Sequence, residues 1–321
     1  MRVFLTGATG FIGKSFVNLL LSQGHEVFAG VRKVSSELPA EVYQLEIGDL
    51  SDINEDELAL SLGPILFNCD VFVHLAGRAH INSKQDDDEQ IFRGMNVRAT
   101  MIFAKLASIN NVKRFIFLSS IGVNGNETNV KPFTENDSPS PKELYAISKW
   151  EAEELLKSLL SDERMDYVII RPPLVYGPNA PGNFKKLVKW TRKGIPLPFA
   201  AVCNRRTMVA LDNLTDFIAL CMNNPAAANE TFVIADDEAV SLSYLLTKVA
   251  SSYGQRIIMV PVPVKIIDYS LRLIGKKSLA TSLLRNLMVD NSKAKQILKW
   301  QPIITMDEQL EKMADFDKNK K

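Results

Sequence analysis

The chain has 321 residues, of which 46% are hydrophobic and 23% are charged, as in an ordinary globular protein. Its 38 Lys and Arg residues nearly balance its 37 Asp and Glu residues, so the excess of positive charge needed for nucleic-acid binding is missing. Cys69, Cys203 and Cys221 lack the spacing of a disulfide framework or of a metal site, and we expect neither. The length predicts two lobes or one domain with a large appendage.

The N-terminal residues lack the basic region and the long apolar run of a signal peptide. The most apolar late segment, 257–274, contains two prolines and three charged residues. It is too interrupted to span a bilayer, although it could cover a pocket or contact a membrane surface. We therefore expect a cytoplasmic protein without a transmembrane segment.

Short apolar runs alternate with helical patterns through the first half of the chain. Strands are predicted at 3–5, 26–31, 43–46, 71–75, 114–118 and 167–171, and helices at about 14–23, 90–110 and 141–160. Strands that alternate with helices at this spacing form a parallel sheet that is covered on both faces by helices.

The pattern changes after residue 171, where six prolines occur within 27 residues, at 172, 173, 178, 181, 196 and 198. Later, a helix is predicted at 212–223 and a strand at 231–234. We predict an α/β fold with a doubly wound parallel-sheet domain over 1–175, which 207–236 rejoins. A smaller C-terminal α/β lobe, formed by 176–206 and 237–321, would hold the substrate.

A glycine-rich turn joins the first strand to the first helix. It has the spacing G-x-x-G-x-x-G and consists of Gly7, Ala8, Thr9, Gly10, Phe11, Ile12 and Gly13. The first glycine permits a tight turn, the second lets the backbone approach a pyrophosphate, and the third lets the helix pack against the strand. The helix N-terminus offers free N–H groups to phosphates. This context predicts that the turn binds a dinucleotide in a Rossmann-type domain.

The residues after the second strand distinguish between cofactors. A carboxylate at this point favours NAD, whereas Arg accommodates the 2′-phosphate of NADP. Arg32 and Lys33 occur here, so NADP(H) is favoured and NAD(H) remains possible. Asp49 and Leu50, after the third strand, could contact the adenine, although an exposed loop aspartate would explain Asp49 equally well.

Tyr145 and Lys149 are four residues apart and lie on the same face of a predicted helix. A tyrosine hydroxyl has a pKa of about 10, and a cation beside it favours the phenolate. Ser119 and Ser120 follow a predicted strand, at the edge where open α/β sheets hold ligands. We therefore predict that Ser120, Tyr145 and Lys149 are catalytic, with Tyr145 as general acid and base.

These motifs together resemble the extended short-chain dehydrogenases/reductases of the nucleotide-sugar epimerase/dehydratase family. The resemblance is collinear over nearly the whole chain and rests on Gly7-x-x-Gly10-x-x-Gly13, Asp49, His74-Leu75-Ala76-Gly77, Asn96-Val97, Phe117-Leu118-Ser119-Ser120, Tyr145-x-x-x-Lys149 and Arg171-Pro172-Pro173-Leu174-Val175-Tyr176-Gly177-Pro178. It implies a homodimer that acts on a nucleotide-diphosphate sugar of the UDP-hexose type.

The resemblance also implies roles for individual residues. The cofactor site would include Leu75, Ala76, Gly77, Asn96, Lys149, Pro172 and Val175. The substrate site would include Ser119, Ser120, Asn183, Pro198, Phe199 and Arg206. A guanidinium such as that of Arg206 binds phosphate oxygens in a forked geometry. His80 could face the substrate, although a lone loop histidine more often has no role. The acidic segment 84–90 is simply a solvated loop or helix start.

Two departures from the family pattern narrow the reaction. Family members that dehydrate the sugar between C4 and C6 share an Asp-Glu pair directly after the hydroxyl residue. In this chain the hydroxyl residue, Ser120, is followed by Ile121-Gly122. Epimerases that hold NAD tightly typically carry an acidic residue where this chain has Arg32. We therefore expect NADPH-dependent reduction of a UDP-linked 4-keto-6-deoxy (2-acetamido) hexose for surface-polysaccharide synthesis. The alternatives are a UDP-glucose/UDP-N-acetylglucosamine 4-epimerase with tightly bound NAD, a reductase of a non-nucleotide ketone, and a binding protein without turnover.

Overall fold

The computed structural model describes residues 1–78 and 88–319. His80 and residues 84–87 of the acidic segment lie outside the described residues. Within the described ranges, no helix combines the length and the apolar character that crossing a bilayer requires.

Ten strands and twelve α-helices make up the described chain. The strands are β1 (Arg2–Thr6), β2 (Glu26–Val31), β3 (Tyr43–Glu46), β4 (Val71–His74), β5 (Arg114–Leu118), β6 (Asp166–Arg171), β7 (Leu174–Tyr176), β8 (Arg206–Ala210), β9 (Glu230–Val233) and β10 (Ala239–Val240). The helices are α1 (Phe11–Ser22), α2 (Glu55–Leu66), α3 (Asp88–Phe92), α4 (Ala99–Ile109), α5 (Leu144–Leu160), α6 (Gly182–Arg192), α7 (Leu211–Asn223), α8 (Leu242–Ser252), α9 (Val264–Leu273), α10 (Lys277–Leu284), α11 (Ser292–Leu298) and α12 (Met306–Asn319).

The large sheet has seven parallel strands in the order β3-β2-β1-β4-β5-β6-β9. Alternate side chains of β1 point to opposite faces: Leu5 packs with Phe16 of α1 in one core, whereas Phe4 packs with Phe103 of α4 in the other. Burying each such side chain contributes about 1.5–3 kcal/mol. The predicted doubly wound α/β architecture is confirmed, and the carboxyl ends of β1, β4 and β5 meet at one edge of the sheet.

A second sheet, of three strands in the order β10-β8-β7, lies in the C-terminal half. The strand β7 was not predicted from the sequence, because a strand of three residues directly after two prolines gives no periodic signal. β9 pairs in parallel with β6. β8, which lies almost wholly within the range expected to rejoin the large sheet, pairs with β7 and β10 instead.

Several helix boundaries differ from the prediction. α1 begins at Phe11 rather than at about residue 14, because Gly10 already adopts the extended backbone of an N-cap. α5 begins at Leu144 rather than at 141, since Pro139 and Pro141 keep the preceding chain extended. The helix predicted at 90–110 is interrupted by a π-helical stretch, Arg93–Arg98.

Candidate active site

The glycine-rich turn brings three backbone segments into close contact. Gly7 has a φ of +77°, and a Cβ atom there would lie 2.7 Å from the amide nitrogen of Ala76. A Cβ atom on Gly13 would lie 2.0 Å from the carbonyl oxygen of Gly7. The Gly10 N–H donates to that same oxygen, at 2.9 Å. The turn therefore leaves an open cradle of backbone above the N-terminus of α1, as a pyrophosphate site requires.

Replacing Gly13 with Ala is expected to reduce both stability and dinucleotide affinity. The new methyl group overlaps backbone that cannot move without displacing the turn, at an expected cost of at least about 1–3 kcal/mol. Urea denaturation and cofactor titration measure the two effects. Gly63→Ala in α2 is the matched control, because a Cβ there meets only Asn110, at 3.6 Å, and should stabilise the helix. Equal behaviour of the two variants would contradict the prediction.

Arg32 and Asp49 lie together beyond the ends of β2 and β3. The Arg32 Nε and the Asp49 Oδ2 are 3.5 Å apart, and both side chains are largely exposed. The backbone N–H of Ser51 is the main cause that lowers the pKa of Asp49, so its carboxylate is ionised. Lys33 is exposed, whereas Leu50 is half-buried against the core. The sheet edge therefore presents a guanidinium with a carboxylate beside it.

The loop after β4 is held by Asn96, which lies in the π-helical stretch and is fully buried. Its Oδ1 accepts from the Arg78 N–H at 2.9 Å, and its Nδ2 donates to the Arg78 carbonyl and to Ser148. A Cβ on Gly77 would lie 3.2 Å from this Oδ1. The amide of Asn96 is thus engaged with the protein, and it shapes the loop of Leu75, Ala76 and Gly77 rather than facing a ligand directly.

Tyr145 and Ser120 form a hydroxyl pair between β5 and the start of α5. A hydrogen bond with the Ser120 side chain lowers the pKa of Tyr145, but burial outweighs it and raises this pKa to about 12. Burial thus moves the pKa of this phenol in the direction opposite to the one expected from the sequence, and the Lys149 Nζ donates to the Leu118 carbonyl. The phenol in this structure is therefore neutral at physiological pH and can donate its proton.

Lys149 is buried, with 3% of its surface exposed. Its Nζ donates to the Leu118 carbonyl at 2.8 Å and lies 4.4 Å from the centre of the Phe117 ring. Burial lowers the pKa of Lys149 to about 7, although the negative charge of Glu153 opposes that effect. A small rise in the negative charge around this ammonium would therefore change its protonation at physiological pH.

The depressed pKa of Lys149 predicts a pH dependence of stability in the cofactor-free protein. Between pH 7 and 10.5 the unfolded chain binds more protons at this position than the folded chain does, so the free energy of unfolding should rise with pH. Urea denaturation at about pH 7 and about pH 9.5 measures this rise. Lys149→Met should remove this part of the dependence, and identical pH slopes in the two proteins would refute the assignment.

Ser119 lies beside Ser120 but points into a buried polar network. Its Oγ donates to Glu153, which has no exposed surface. The guanidinium of Arg171 donates to both oxygens of Glu153 and, at 3.0 Å, to Asn124 Oδ1. In this structure the Ser119 hydroxyl therefore supports the floor of the site, and the expected contact of Ser119 with substrate stays a prediction.

A cavity of about 470 Å³ opens beside the hydroxyl pair. Among the predicted site residues it is lined by Phe11, Ile12, Ser120, Tyr145, Val175, Asn183 and Arg206. Arg206 donates to the Arg285 carbonyl at 3.1 Å, and burial lowers its pKa to about 10, so it remains cationic. No carboxylate within the described residues forms an ion pair with it. This cationic side chain is available to an anionic ligand in the cavity.

Two other expected substrate residues are not part of the cavity wall. Phe199 is buried in a separate core with Leu187 and Leu283, and Pro198 is half-buried next to it. Pro172 is buried, and its carbonyl accepts from the Ile121 N–H at 3.0 Å. These residues pack behind the walls of the site. Their spacing in the sequence predicted that they lie near the site, but it did not predict which way their side chains point.

Sequence reasoning missed several residues that line the cavity. Ser278 of α10 donates to Glu143, just before α5, at 2.6 Å, and so joins the two halves of the chain across the cavity. Thr281, Ser282 and Ser241 also line it. Isolated hydroxyl residues carry no motif, although Glu143 could have been suspected from its position two residues before Tyr145. No group of three or more His, Cys, Asp or Glu side chains in residues 1–78 and 88–319 could hold a metal.

The fold and this site together define a dinucleotide-binding enzyme of the extended short-chain dehydrogenase/reductase type. Residues 3–235 match the NAD dependent epimerase/dehydratase family, and the chain belongs to it. Similar proteins include a UDP-glucose 4-epimerase of Vibrio cholerae, 37% identical over 97% of this chain and 94% of its own. An N-acetyl-alpha-D-glucosaminyl-diphospho-ditrans,octacis-undecaprenol 4-epimerase of Escherichia coli O157:H7 is 27% identical over 88% of this chain and 83% of its own.

Solved structures share the fold over the full length. The UDP-glucose 4-epimerase of Thermotoga maritima, solved with UDP-glucose, has a TM-score of 0.79 at 22% identity and covers 100% of this chain and 99% of its own. The UDP-glucuronic acid 4-epimerase of Bacillus cereus, solved with NAD, has a TM-score of 0.78 at 20% identity, covering 99% of this chain and 97% of its own. The resemblance that the motifs indicated is thus confirmed for family and fold.

Proposed function

We propose that this enzyme carries out oxidation or reduction at C4 of a hexose linked to a nucleoside diphosphate, UDP in the first instance. The observation that carries the proposal is the cavity wall, in which the Ser120–Tyr145 hydroxyl pair and the cationic Arg206 face the same space. The hydroxyl pair suits a carbonyl or alcohol that gains or loses a proton. Arg206 suits the diphosphate, since a guanidinium binds two phosphate oxygens at once.

The residues of the large sheet's edge fit a nicotinamide dinucleotide. Gly7 and Gly13 keep the backbone free of side chains where a pyrophosphate would lie, and α1 offers its uncapped N-terminus. Arg32 and Asp49 would hold the adenosine end, and Lys149 would hold the nicotinamide ribose. When bound, the nicotinamide supplies or accepts the hydride.

The protein's own part in the reaction is proton transfer. Tyr145 is neutral, so in the reductive direction its hydroxyl can donate a proton to the oxygen at C4, and Ser120 polarises that oxygen beforehand. In the oxidative direction the same hydroxyl must first lose its proton. The negative charge of a bound dinucleotide would favour the charged ammonium of Lys149, and this cation would then lower the pKa of the phenol.

We propose NADPH-dependent reduction of a UDP-linked 4-keto-6-deoxy (2-acetamido) hexose as the reaction in the cell. Arg32 supports this choice, because an exposed guanidinium suits a 2′-phosphate and no carboxylate ends β2. Ile121 and Gly122, after Ser120, have no side chain for a dehydration step. Arg32→Ser should raise the KM for NADPH about tenfold and leave that for NADH nearly unchanged. Steady-state kinetics with both cofactors measures this, with Lys131→Ser as control. Equal effects on both cofactors would argue for NAD.

The second candidate is a UDP-hexose 4-epimerase that retains NAD. Similarity to the Vibrio cholerae UDP-glucose 4-epimerase over 97% of the chain favours it. The same hydroxyl pair serves both reactions, since the forward and reverse proton transfers at C4 share a transition state.

One experiment separates the two candidates. The purified protein is denatured and its retained cofactor identified, and the native protein is then incubated with UDP-glucose, with UDP-N-acetylglucosamine and with a UDP-4-keto-6-deoxy sugar plus NADPH. NADPH oxidation with the keto sugar alone supports the reductase. Interconversion of gluco and galacto forms without added cofactor would defeat it and establish the epimerase. Inactivity in every arm, with folded protein, would reject C4 chemistry on UDP-sugars.

The homodimer and the division of the chain into two domains stay predictions. Trp150, Leu155 and Leu159 are exposed along α5, and such apolar side chains support a contact between copies of the chain. Light scattering of the purified protein tests the dimer.

A further inference from the structure

Helix α9 carries large apolar side chains on its outward face. Ile266, Tyr269 and Leu273 follow the i, i+3, i+7 spacing of one helix face. The exposed fraction of each residue is between 56% and 68%. The opposite face holds Ile267, which is buried with Leu283 of α10. A surface helix of a globular protein normally presents polar residues, not large apolar ones, on its solvent side.

The apolar surface continues in sequence on both sides of the helix. Ile258 and Val260, in the segment leading into α9, are exposed, and Ile274 directly after it is 63% exposed. These six residues, Ile258, Val260, Ile266, Tyr269, Leu273 and Ile274, are called the α9 face below. Exposed apolar groups concentrated in this way mark a surface that contacts something else.

The segment of chain that contains the α9 face is rich in positive charge. Residues 256–286 contain six cations, which are Arg256, Lys265, Arg272, Lys276, Lys277 and Arg285, and a single acidic residue, Asp268. That carboxylate pairs with Arg272 at 2.9 Å and with Arg285 at 3.4 Å. The whole chain is nearly neutral, with a net charge of +1, so this imbalance is local. The surface therefore combines apolar side chains with cations that are not neutralised within the segment.

We propose that the α9 face docks on the surface of a lipid bilayer that contains anionic lipids. A helix with an apolar face and flanking Lys and Arg lies in the interface, where the apolar groups enter the acyl boundary and the cations meet phosphate headgroups. Tyr269 suits this depth, because its ring is apolar and its hydroxyl is polar. A symmetric contact between two copies would bring identical cations together and repel them, which disfavours a second copy as the occupant.

Docking would bring the candidate active site close to the bilayer. α9 packs against α10, whose Ser278, Thr281, Ser282 and Leu283 line the cavity. Arg285 connects the two regions, since its side chain pairs with Asp268 and its carbonyl accepts from Arg206. The inference goes beyond the proposed reaction and does not rest on it, because the α9 face itself is outside the cavity.

Vesicle flotation of the full chain tests the proposal. One set of vesicles contains phosphatidylcholine alone, and the other contains equal parts of phosphatidylcholine and phosphatidylglycerol. We expect binding to the anionic vesicles that weakens as salt is added. Lys276→Gln with Lys277→Gln should weaken it about 30-fold, from about 1 kcal/mol per cation at the surface. Tyr269→Ser with Leu273→Ser should weaken it at least as much.

The control is Leu60→Ser with Phe67→Ser, because these side chains are equally exposed but lie on and beside α2. This variant should bind within about twofold of the parent, given that it keeps the α9 face. The α9 variants should keep the parent's thermal midpoint and its turnover of soluble sugar nucleotide, so a failure of the proposed reaction is seen separately. Absence of flotation, equal binding to both vesicle types, or α9 variants that bind like the parent would overturn the proposal. So would light scattering showing an oligomer that the Tyr269→Ser, Leu273→Ser variant abolishes without any vesicle binding.

Discussion

Replacing Tyr145 with Phe is expected to lower kcat by about 10²- to 10⁴-fold, the usual contribution of a positioned general acid or base. The phenol hydroxyl lines the cavity and hydrogen-bonds with the Ser120 side chain, and its pKa of about 12 makes it a proton donor at neutral pH. Phe keeps the half-buried ring beside Phe92, so the fold and cofactor binding should persist. Initial rates under saturating substrate and cofactor measure the loss.

The assay works for either reaction, because reduction and epimerisation both need a proton moved at the C4 oxygen. Tyr244→Phe, on the exposed surface of α8, is the control and should leave kcat unchanged. Cofactor affinity, measured by fluorescence titration, should change by less than about threefold in Tyr145→Phe. If kcat of this variant stayed within a few-fold of the parent, another group would have to handle the proton.

The large sheet could be predicted from the sequence because its central strands, such as β4 and β5, are short apolar runs that are fully buried, as is typical of parallel sheets covered on both faces. β2, β3 and β5 have the predicted limits, and the others differ by one or two residues. The small sheet could not be predicted from the sequence, because β7 and β10 are only three and two residues long and acquire their partners through tertiary contacts. The π-helical stretch was equally hidden, as its residues fit an ordinary helical pattern.

The candidate site divides in a similar way. Residues that act through the backbone, such as Gly7 and Gly13, follow from their spacing, because only glycine fits where a Cβ atom would overlap the chain. The surroundings of charged groups do not follow from spacing. The pKa of Tyr145 moved against expectation because burial of the phenol outweighs its hydrogen bond. Ser119 and Ser120 are adjacent in sequence, yet they face opposite sides, as neighbouring residues of extended chain do.

The network below the site should be the most sensitive point for stability. Arg171→Met removes the cation that contacts Glu153, and Glu153 has no exposed surface through which water could replace it. Breaking a buried pair from one side costs about 3–5 kcal/mol, because an uncompensated charge remains. The midpoint of urea denaturation should fall accordingly. The loss should reach the active site as well, since the same carboxylate raises the pKa of Lys149 and accepts from Ser119.

Lys157→Met provides the control, because it removes the cation of an exposed pair with Glu154 on the same helix, worth less than about 1 kcal/mol. Combining Arg171→Met with Glu153→Leu should recover most of the loss, as an apolar pair of similar volume is often neutral or better than a buried ion pair. We expect this double variant to regain stability but to have a lower pKa at Lys149. That result would separate the two roles of Glu153, which are to pair with Arg171 and to raise the pKa of Lys149. A single variant Arg171→Met as stable as Lys157→Met would mean that the buried charge finds another partner.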